Sequence, residues 1–241
     1  MITGQWIRSL DELPRARAVL LDVTPRQLVG LAGPSLRGFA RWEMDRFRYG
    51  PGICKLDWAL SGPVPWSAEV CRRTATVHVG GTIDEITASE AEIAAGRHPD
   101  RPFCIVVQPC VVDATRAPAG KQTLWAYCHA PAGSTVDLTP LIESQIERFA
   151  PGFRDLILAR ASSTAAETER RNPNYVGGDI SSGAATLVQT LFRPTLRWNP
   201  YRTGVDGVYL CGASTPPGGG VHGMCGHWAA RTAMRDLGIR D

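Results

Sequence analysis

The sequence predicts an α+β fold, in which strands and helices are grouped along the chain and do not alternate regularly. Short apolar, β-branched runs occur early, at residues 16–23, 52–60, 75–80, 103–112 and 122–129. A helix pattern with Pro140 near its start covers 139–149. Residues 162–197 are then predicted to be mostly irregular, because the glycine-rich stretch 172–183 dominates them. A last strand at 207–210 and a helix from about Gly223 to Met234 follow.

Two more helical regions are predicted from composition and cap residues. Residues 27–47 place several apolar side chains near one helical face and are interrupted at Gly33-Pro34, which predicts one or two helices. Residues 84–95 have helix composition, with Thr82 or Asp84 as the N-cap.

Composition restricts the class of protein. The 241 residues are 44% apolar and 20% charged, which is typical of a soluble globular protein of one large domain or two small lobes. A net charge of +3 with scattered basic residues argues against a nucleic-acid partner. We find no signal peptide and no apolar run of about 18 residues, so we expect a cytoplasmic protein with peripheral membrane contact at most. Seven cysteines without a C-x-x-C pair indicate reduced thiols.

The informative segment is TGVDGVYLCGASTPPGGGVHGMCGHWAARTAM, at 203–234. A strand end, a glycine-rich loop and a helix N-terminus form a site for an anion or a polarised carbonyl, because free backbone N–H groups point into it. A phosphate loop is a second interpretation, but the lysine of G-x-x-x-x-G-K-[ST] is missing. A flexible turn before an ordinary helix is the third.

This segment resembles the C-terminal signature of the phytoene desaturase and retinol saturase family of FAD-dependent oxidoreductases. In that family, the strand T-x4-V/L-Y-L-x-G-A precedes T/S-x-P-G-G-G-V-x-G-M and a helix. The matching residues are Thr203, Val208, Tyr209, Leu210, Gly212, Ala213, Pro217, Gly218, Gly219, Gly220, Val221, Gly223 and Met224. Further similar segments lie at 8–28, 55–66, 147–153, 172–180 and 193–201.

The resemblance implies an FAD site and its residues. Gly212, Ala213 and Ser214 would lie beside the pyrophosphate and ribityl chain, and Thr24 would approach the pyrophosphate from the other side. The isoalloxazine ring would be bordered, mostly by backbone, by Gly220, Val221, His222, Gly223 and Met224. A helix N-terminus there would stabilise the negative charge of the reduced ring. No catalytic base is identified.

The family's N-terminal strand-turn-helix, which carries G-x-G-x-x-G, is followed by an acidic residue and holds the ADP half, has no match. The nearest pattern, at 30–33, has the wrong spacing and is followed by Pro34. The resemblance therefore implies a mixed-sheet substrate lobe at 26–200 and an incomplete, Rossmann-like FAD lobe at 1–25 and 201–241. It also implies a partner, either a chain carrying the N-terminal half or a second copy in a homo-oligomer.

Two functions follow. The first is an FAD-dependent dehydrogenase or saturase acting on an apolar small molecule such as an isoprenoid. The second is a non-catalytic lipid-binding protein that retained only the apolar cleft. Most of the seven tryptophans are expected in the core, although some would suit an apolar substrate tunnel. The arginine-rich region 26–48 suits either a solvated helix face or an anionic membrane surface.

Two other candidate sites are weaker. His222, His227, Cys211 and Cys225 do not have a common zinc spacing, so no metal site is predicted. Asp179 follows two glycines and is either a proton-handling group or a solvated turn aspartate.

Overall fold

The computed structural model describes residues 1–239, which form seven strands and eight α-helices. The strands are β1 (Val19–Leu21), β2 (Gly52–Leu60), β3 (Thr76–Val79), β4 (Cys104–Val107), β5 (Gln122–Ala130), β6 (Ile157–Ser163) and β7 (Val208–Leu210). The helices are α1 (Pro25–Ala32), α2 (Gly38–Asp45), α3 (Glu69–Arg72), α4 (Ile83–Ala94), α5 (Thr139–Phe149), α6 (Ala165–Arg171), α7 (Leu187–Leu191) and α8 (Met224–Asp236). The predicted α+β class is confirmed.

The chain divides into two compact units, each with a core of its own. The first unit comprises Met1–Gly50, Pro173–Tyr175 and Ser181–Asp241, and the second comprises Pro51–Asn172 and Val176–Ile180. Packing thus groups residues 26–50 and 181–200 with the two ends of the chain. The predicted lobes, 26–200 and 1–25 with 201–241, describe functional roles and stay a prediction.

The second unit is built on an antiparallel sheet of order β3-β4-β5-β2-β6. Alternate residues of β2 (Leu56, Trp58 and Leu60) are buried, and α5 contributes Ile142 and Ile146 to the same core. Strand β2 and helix α5 have the predicted bounds, because each combines a clear apolar period with local end signals.

Helix α4 begins after Thr82, which is the N-cap. The Thr82 Oγ1 accepts from the Glu85 N–H at 3.3 Å, and the Glu85 carboxylate accepts from the Thr82 N–H at 2.9 Å. This reciprocal capping box satisfies two N–H groups that the helix cannot bond itself. Of the two predicted caps, Thr82 is the correct one.

Three elements of the structure differ from what the sequence predicted or were not predicted. The strand at 103–112 ends at Val107, because Pro109 lacks an N–H group and a 3-10 turn follows at Pro109–Val111. Strand β6 was not predicted, since its residues from Leu158 to Ser162 are all exposed and show no apolar alternation. Helix α6 lies in a stretch predicted as irregular, although Thr164 and Glu167 form a second capping box.

The first unit contains the parallel pair β1–β7, in which Val19 lies opposite Val208 and Leu21 opposite Leu210. Helices α1 and α2 pack Leu28, Ala40 and Met44 into one core with Leu210. Ala229 and Ala233 of α8 are also buried. The predicted break between α1 and α2 is confirmed at Gly33-Pro34.

All seven cysteines are free thiols, of which four are buried and three half-buried. None of the helices within residues 1–239 combines the length and apolar character needed to cross a membrane.

Candidate cofactor site

The site lies where β1 and β7 end side by side. Strand β7 continues into the loop 211–223, and β1 continues into Thr24 and α1. A Cβ added to Gly212 would come within 2.5 Å of the Asp22 Oδ1 and 3.5 Å of the Val23 N. Ligands of open parallel sheets bind outside the carboxyl ends of the strands. This end of the first unit is therefore the position at which a nucleotide-like ligand is expected.

Side chains of the first unit hold the loop 211–223 in place through contacts with its carbonyl groups. The Thr215 Oγ1 donates to the Gly212 carbonyl at 2.8 Å, and the Tyr201 hydroxyl donates to the Pro216 carbonyl at 3.1 Å. The buried Cys225 thiol lies 3.4 Å from the Gly218 carbonyl. The loop is therefore fixed before any ligand binds, which reduces the conformational cost of binding.

Arg193 is a further support that sequence reasoning missed. Its Nη2 donates to the carbonyls of Ser182 at 3.0 Å and Ala213 at 3.1 Å, and its Nε donates to the Ser214 carbonyl at 3.4 Å. One guanidinium group thus joins two separate segments of the first unit. The only sequence signal for Arg193 was its position in the segment 193–201, which resembles the family. No local pattern could predict its contacts, because the carbonyls that it bonds lie more than ten residues away in the sequence.

Helix α8 begins at the end of this loop, with Gly223 in the left-handed region at φ 66°. The His222 Nδ1 accepts from the Met224 N–H at 3.0 Å, so a neutral His222 carries its proton on Nε2. Among residues 1–239, nothing accepts from the N–H groups of Cys225 and Gly226. The entrance to α8 is therefore partly covered by one imidazole and still offers donors.

The structure brings all nine predicted cofactor residues into the first unit. Gly220, Val221, His222 and Gly223 are exposed, while Gly212 and Ser214 are buried. The Ser214 hydroxyl donates to the Ser182 carbonyl at 2.9 Å. Its side chain therefore supports the loop, and a role in cofactor contact would fall to the backbone.

Thr24 is the N-cap of α1 and is only 3% exposed. Its Oγ1 has no hydrogen-bond partner within the described part of the chain. Its N–H donates to the Asn174 Oδ1 at 3.0 Å, and the Arg26 N–H donates to the Tyr49 hydroxyl at 3.0 Å. Protein groups thus accept from two N–H groups at this helix end, and the buried Thr24 hydroxyl is left unpaired in the ligand-free chain.

The thiols and histidines here do not form a metal centre. Burial, together with the negative charge of Asp22 and the neighbouring Cys225, raises the pKa of the Cys211 thiol to about 11. Cys211 is therefore a neutral thiol near pH 7 and a poor ligand. No cluster of three or more metal-binding side chains occurs in residues 1–239. Gly30 lies inside α1 and Gly33 at its end, so that pattern forms no nucleotide loop.

Asp179 belongs to the second unit and is 1% exposed, so the interpretation as a solvated turn aspartate was wrong. Its N–H donates to the Val176 carbonyl at 3.2 Å, within a turn formed by Gly177 and Gly178. Proton handling by Asp179 stays a prediction.

Comparison with known proteins gives the class of relatives. A pyridine nucleotide-disulfide oxidoreductase domain-containing protein 2 from Mus musculus is 46% identical over 95 residues, 38% of this chain and 16% of the mouse protein. One of the subunits of limonene dehydrogenase from Castellaniella defragrans is 31% identical over 116 residues, 48% of this chain and 20% of the bacterial protein. The chain is similar to part of several oxidoreductases. It matches less than half the length of each relative, and no protein-family model matches it.

The fold is also similar to that of a solved structure. The crystal structure of an oxidoreductase from Methanosarcina mazei aligns with a TM-score of 0.55 at 15% identity, over 94% of this chain and 44% of that one. At this identity the alignment shows a shared fold alone.

Proposed function

We propose that the chain is the flavin-facing, C-terminal part of an FAD-dependent oxidoreductase. The observation that carries this proposal is the structure of the loop 211–223. Side chains of the protein contact several of its carbonyl groups, and its glycine backbone before the start of α8 is exposed. The oxidoreductase names of the relatives support the same class of reaction.

The donors present fit a flavin nucleotide. The N–H groups of Cys225 and Gly226, at the positive end of α8, suit a carbonyl that gains negative charge when the ring is reduced. The Thr24 hydroxyl, unpaired and buried in the ligand-free chain, would bond a phosphate oxygen if binding uncovers it. When bound, FAD would supply the hydride-accepting or hydride-donating chemistry. The chain's own residues would position the ring and adjust its charge.

The ADP half of FAD needs a second contribution. Within residues 1–239 the G-x-G-x-x-G pattern occurs once, at 218–223, and seven residues separate it from the end of β7, whereas the dinucleotide-binding motif follows its strand directly. We propose that a dinucleotide-binding motif of this kind is supplied from outside the 241 residues, by a partner chain that carries the N-terminal half.

For the substrate we propose an apolar small molecule of isoprenoid type. One relative is named as a subunit of limonene dehydrogenase, and limonene is a small apolar hydrocarbon, which supports this substrate class. No side chain is assigned as a catalytic base.

The test is reconstitution. The chain is co-expressed with a segment carrying G-x-G-x-x-G from a similar enzyme, and protein-bound flavin is measured by its visible absorbance after purification. We expect a yellow complex whose flavin is bleached by a chemical reductant. A folded, colourless complex would overturn the proposal, and lipid binding by that colourless protein would favour the non-catalytic alternative.

A further inference from the structure

Helix α2 exposes two aromatic rings on one face. Phe39 is 59% exposed and Trp42 is 48% exposed, although both are large apolar side chains. Their rings stack with centroids 5.3 Å apart at an interplanar angle of 20°, and the Arg46 guanidinium carbon lies 5.0 Å from the Trp42 ring centroid. The opposite face buries Ala40 and Met44 in the first unit's core. The aromatic pair therefore points away from that core.

Part of the charge on and around α2 is not compensated. Both acids of α2 are paired, Glu43 with Arg197 at 2.9 Å and Asp45 with Arg41 at 2.8 Å. By contrast, three exposed arginines at the two ends of α2 have no carboxylate partner among residues 1–239, namely Arg37, Arg46 and Arg48. We call Phe39 and Trp42 with these three arginines the aromatic–arginine face.

We propose that the aromatic–arginine face docks the protein on an anionic phospholipid surface. Tryptophan and phenylalanine gain by leaving water for the headgroup region of a bilayer, where rings with an apolar body are favoured. Unpaired arginines gain from the negative surface potential and reach phosphate groups by their long side chains. The two kinds of side chain occur together, and that combination fits an anionic bilayer better than a neutral apolar partner.

The size of the element fits a surface contact and not insertion across the bilayer. Helix α2 has eight residues, and its rings would enter about 5–10 Å into the headgroup and acyl boundary. The net charge of the whole chain is only +3, so the attraction arises from this local cluster and not from a general basic surface. This inference does not depend on flavin binding.

The test is co-sedimentation of the full chain with vesicles of phosphatidylcholine alone or mixed with phosphatidylglycerol. We expect binding only to the mixed vesicles, and weaker binding at high salt because exposed charges are screened. The combined change Arg37→Gln, Arg46→Gln and Arg48→Gln should weaken binding roughly a hundredfold. The pair Phe39→Ser and Trp42→Ser should also release the protein from the mixed vesicles.

Matched controls come from the same unit. Arg8, Arg15 and Arg17 are exposed, their guanidinium groups have no carboxylate partner within residues 1–239, and Trp198 is fully exposed. Changing these arginines to Gln, or Trp198 to Ser, should leave vesicle binding within about twofold, with thermal unfolding confirming that every variant is folded. The proposal would be overturned if the control variants lost vesicle binding to the same extent, or if the unmodified protein did not bind the mixed vesicles. Binding of DNA or an acidic protein instead of the mixed vesicles would also overturn it.

Discussion

A buried hydroxyl without a partner destabilises a folded protein, because water solvates the same group in the unfolded chain. The Thr24 Oγ1 is in this position. Replacing it by the isosteric Thr24→Val should raise the free energy of unfolding of the flavin-free chain by about 1–2 kcal/mol, as followed by urea denaturation.

The same substitution separates a structural role from a ligand-binding one. In the flavin-containing complex, Thr24→Val should weaken retention of flavin although the protein is more stable. Thr24→Ser is the control that keeps the hydroxyl. Unchanged flavin retention in the valine variant would remove Thr24 from the proposed site.

Gly220 gives the second residue-scale prediction. Its φ of 149° lies in a region that L side chains avoid, and a Cβ would lie 2.9 Å from the His222 Cδ2. Gly220→Ala should therefore cost about 1–3 kcal/mol of stability and displace the His222 ring from the Met224 N–H. Bound flavin in the reconstituted complex should fall with it.

The matched control for that change is Gly30→Ala in α1. Gly30 has no atom within 4 Å of an added Cβ outside the backbone of its own helix, and its φ lies outside the left-handed region. Alanine there should stabilise the helix by about 0.5–1 kcal/mol and leave flavin content unchanged. Equal effects of the two substitutions would contradict the special role of the loop.

At the scale of elements, the start of α4 predicts sensitivity to acid. Hydrogen bonds from Arg148 and then from the Thr82 N–H lower the pKa of Glu85 from 4.5 to about 2. A lowered pKa means that the folded state favours the carboxylate. Its stabilisation is therefore complete above about pH 4.5 and is lost as pH falls towards 2.

Glu85→Gln should remove that part of the pH dependence. Thermal unfolding across pH 7 to 2 measures it, and the variant's curve should be flatter between pH 4.5 and 2. Glu69→Gln, at the exposed start of α3, is the control. Parallel curves for Glu85→Gln and the unmodified chain would show that the pairing contributes nothing.

Elements with local signals were the predictable ones. Thr82 marks the start of α4, and Thr139-Pro140 marks the start of α5. Both were predictable because cap residues and the apolar helix period lie within a few residues of one another. Strand β6 was missed because it forms a ladder with β2, about a hundred residues earlier in the chain. Strand pairing of this kind depends on tertiary context, which a single sequence does not display.

The candidate site shows the same division. The strand, the glycine loop and the start of α8 were predicted from residues that are adjacent in sequence. The contacts of Arg193 and of Tyr201, and the imidazole over the Met224 N–H, depend on how the loop folds back. Sequence reasoning therefore predicted the strand, the loop and the helix, and it missed the side chains that hold the loop.

For the whole molecule, two separate cores predict two separate responses to mutation. Ile142 is fully buried in the second unit's core, and Ile142→Ala should cost about 2–5 kcal/mol. Hydrogen exchange should accelerate for amides of β2 and β5 and stay slow for those of β1 and β7. Equal acceleration in both sheets would show that the chain unfolds as one cooperative unit.

Strand β6 lies at the open edge of the five-stranded sheet, with five successive exposed residues. Such an edge is a template on which a second chain adds a strand, and it makes concentrated protein prone to aggregate. Arg160, which bonds Glu143 at 2.9 Å, is the one charged residue of that strand. Arg160 is therefore the side chain of this strand that opposes the addition of a second chain, since a charge at a sheet edge disfavours further pairing.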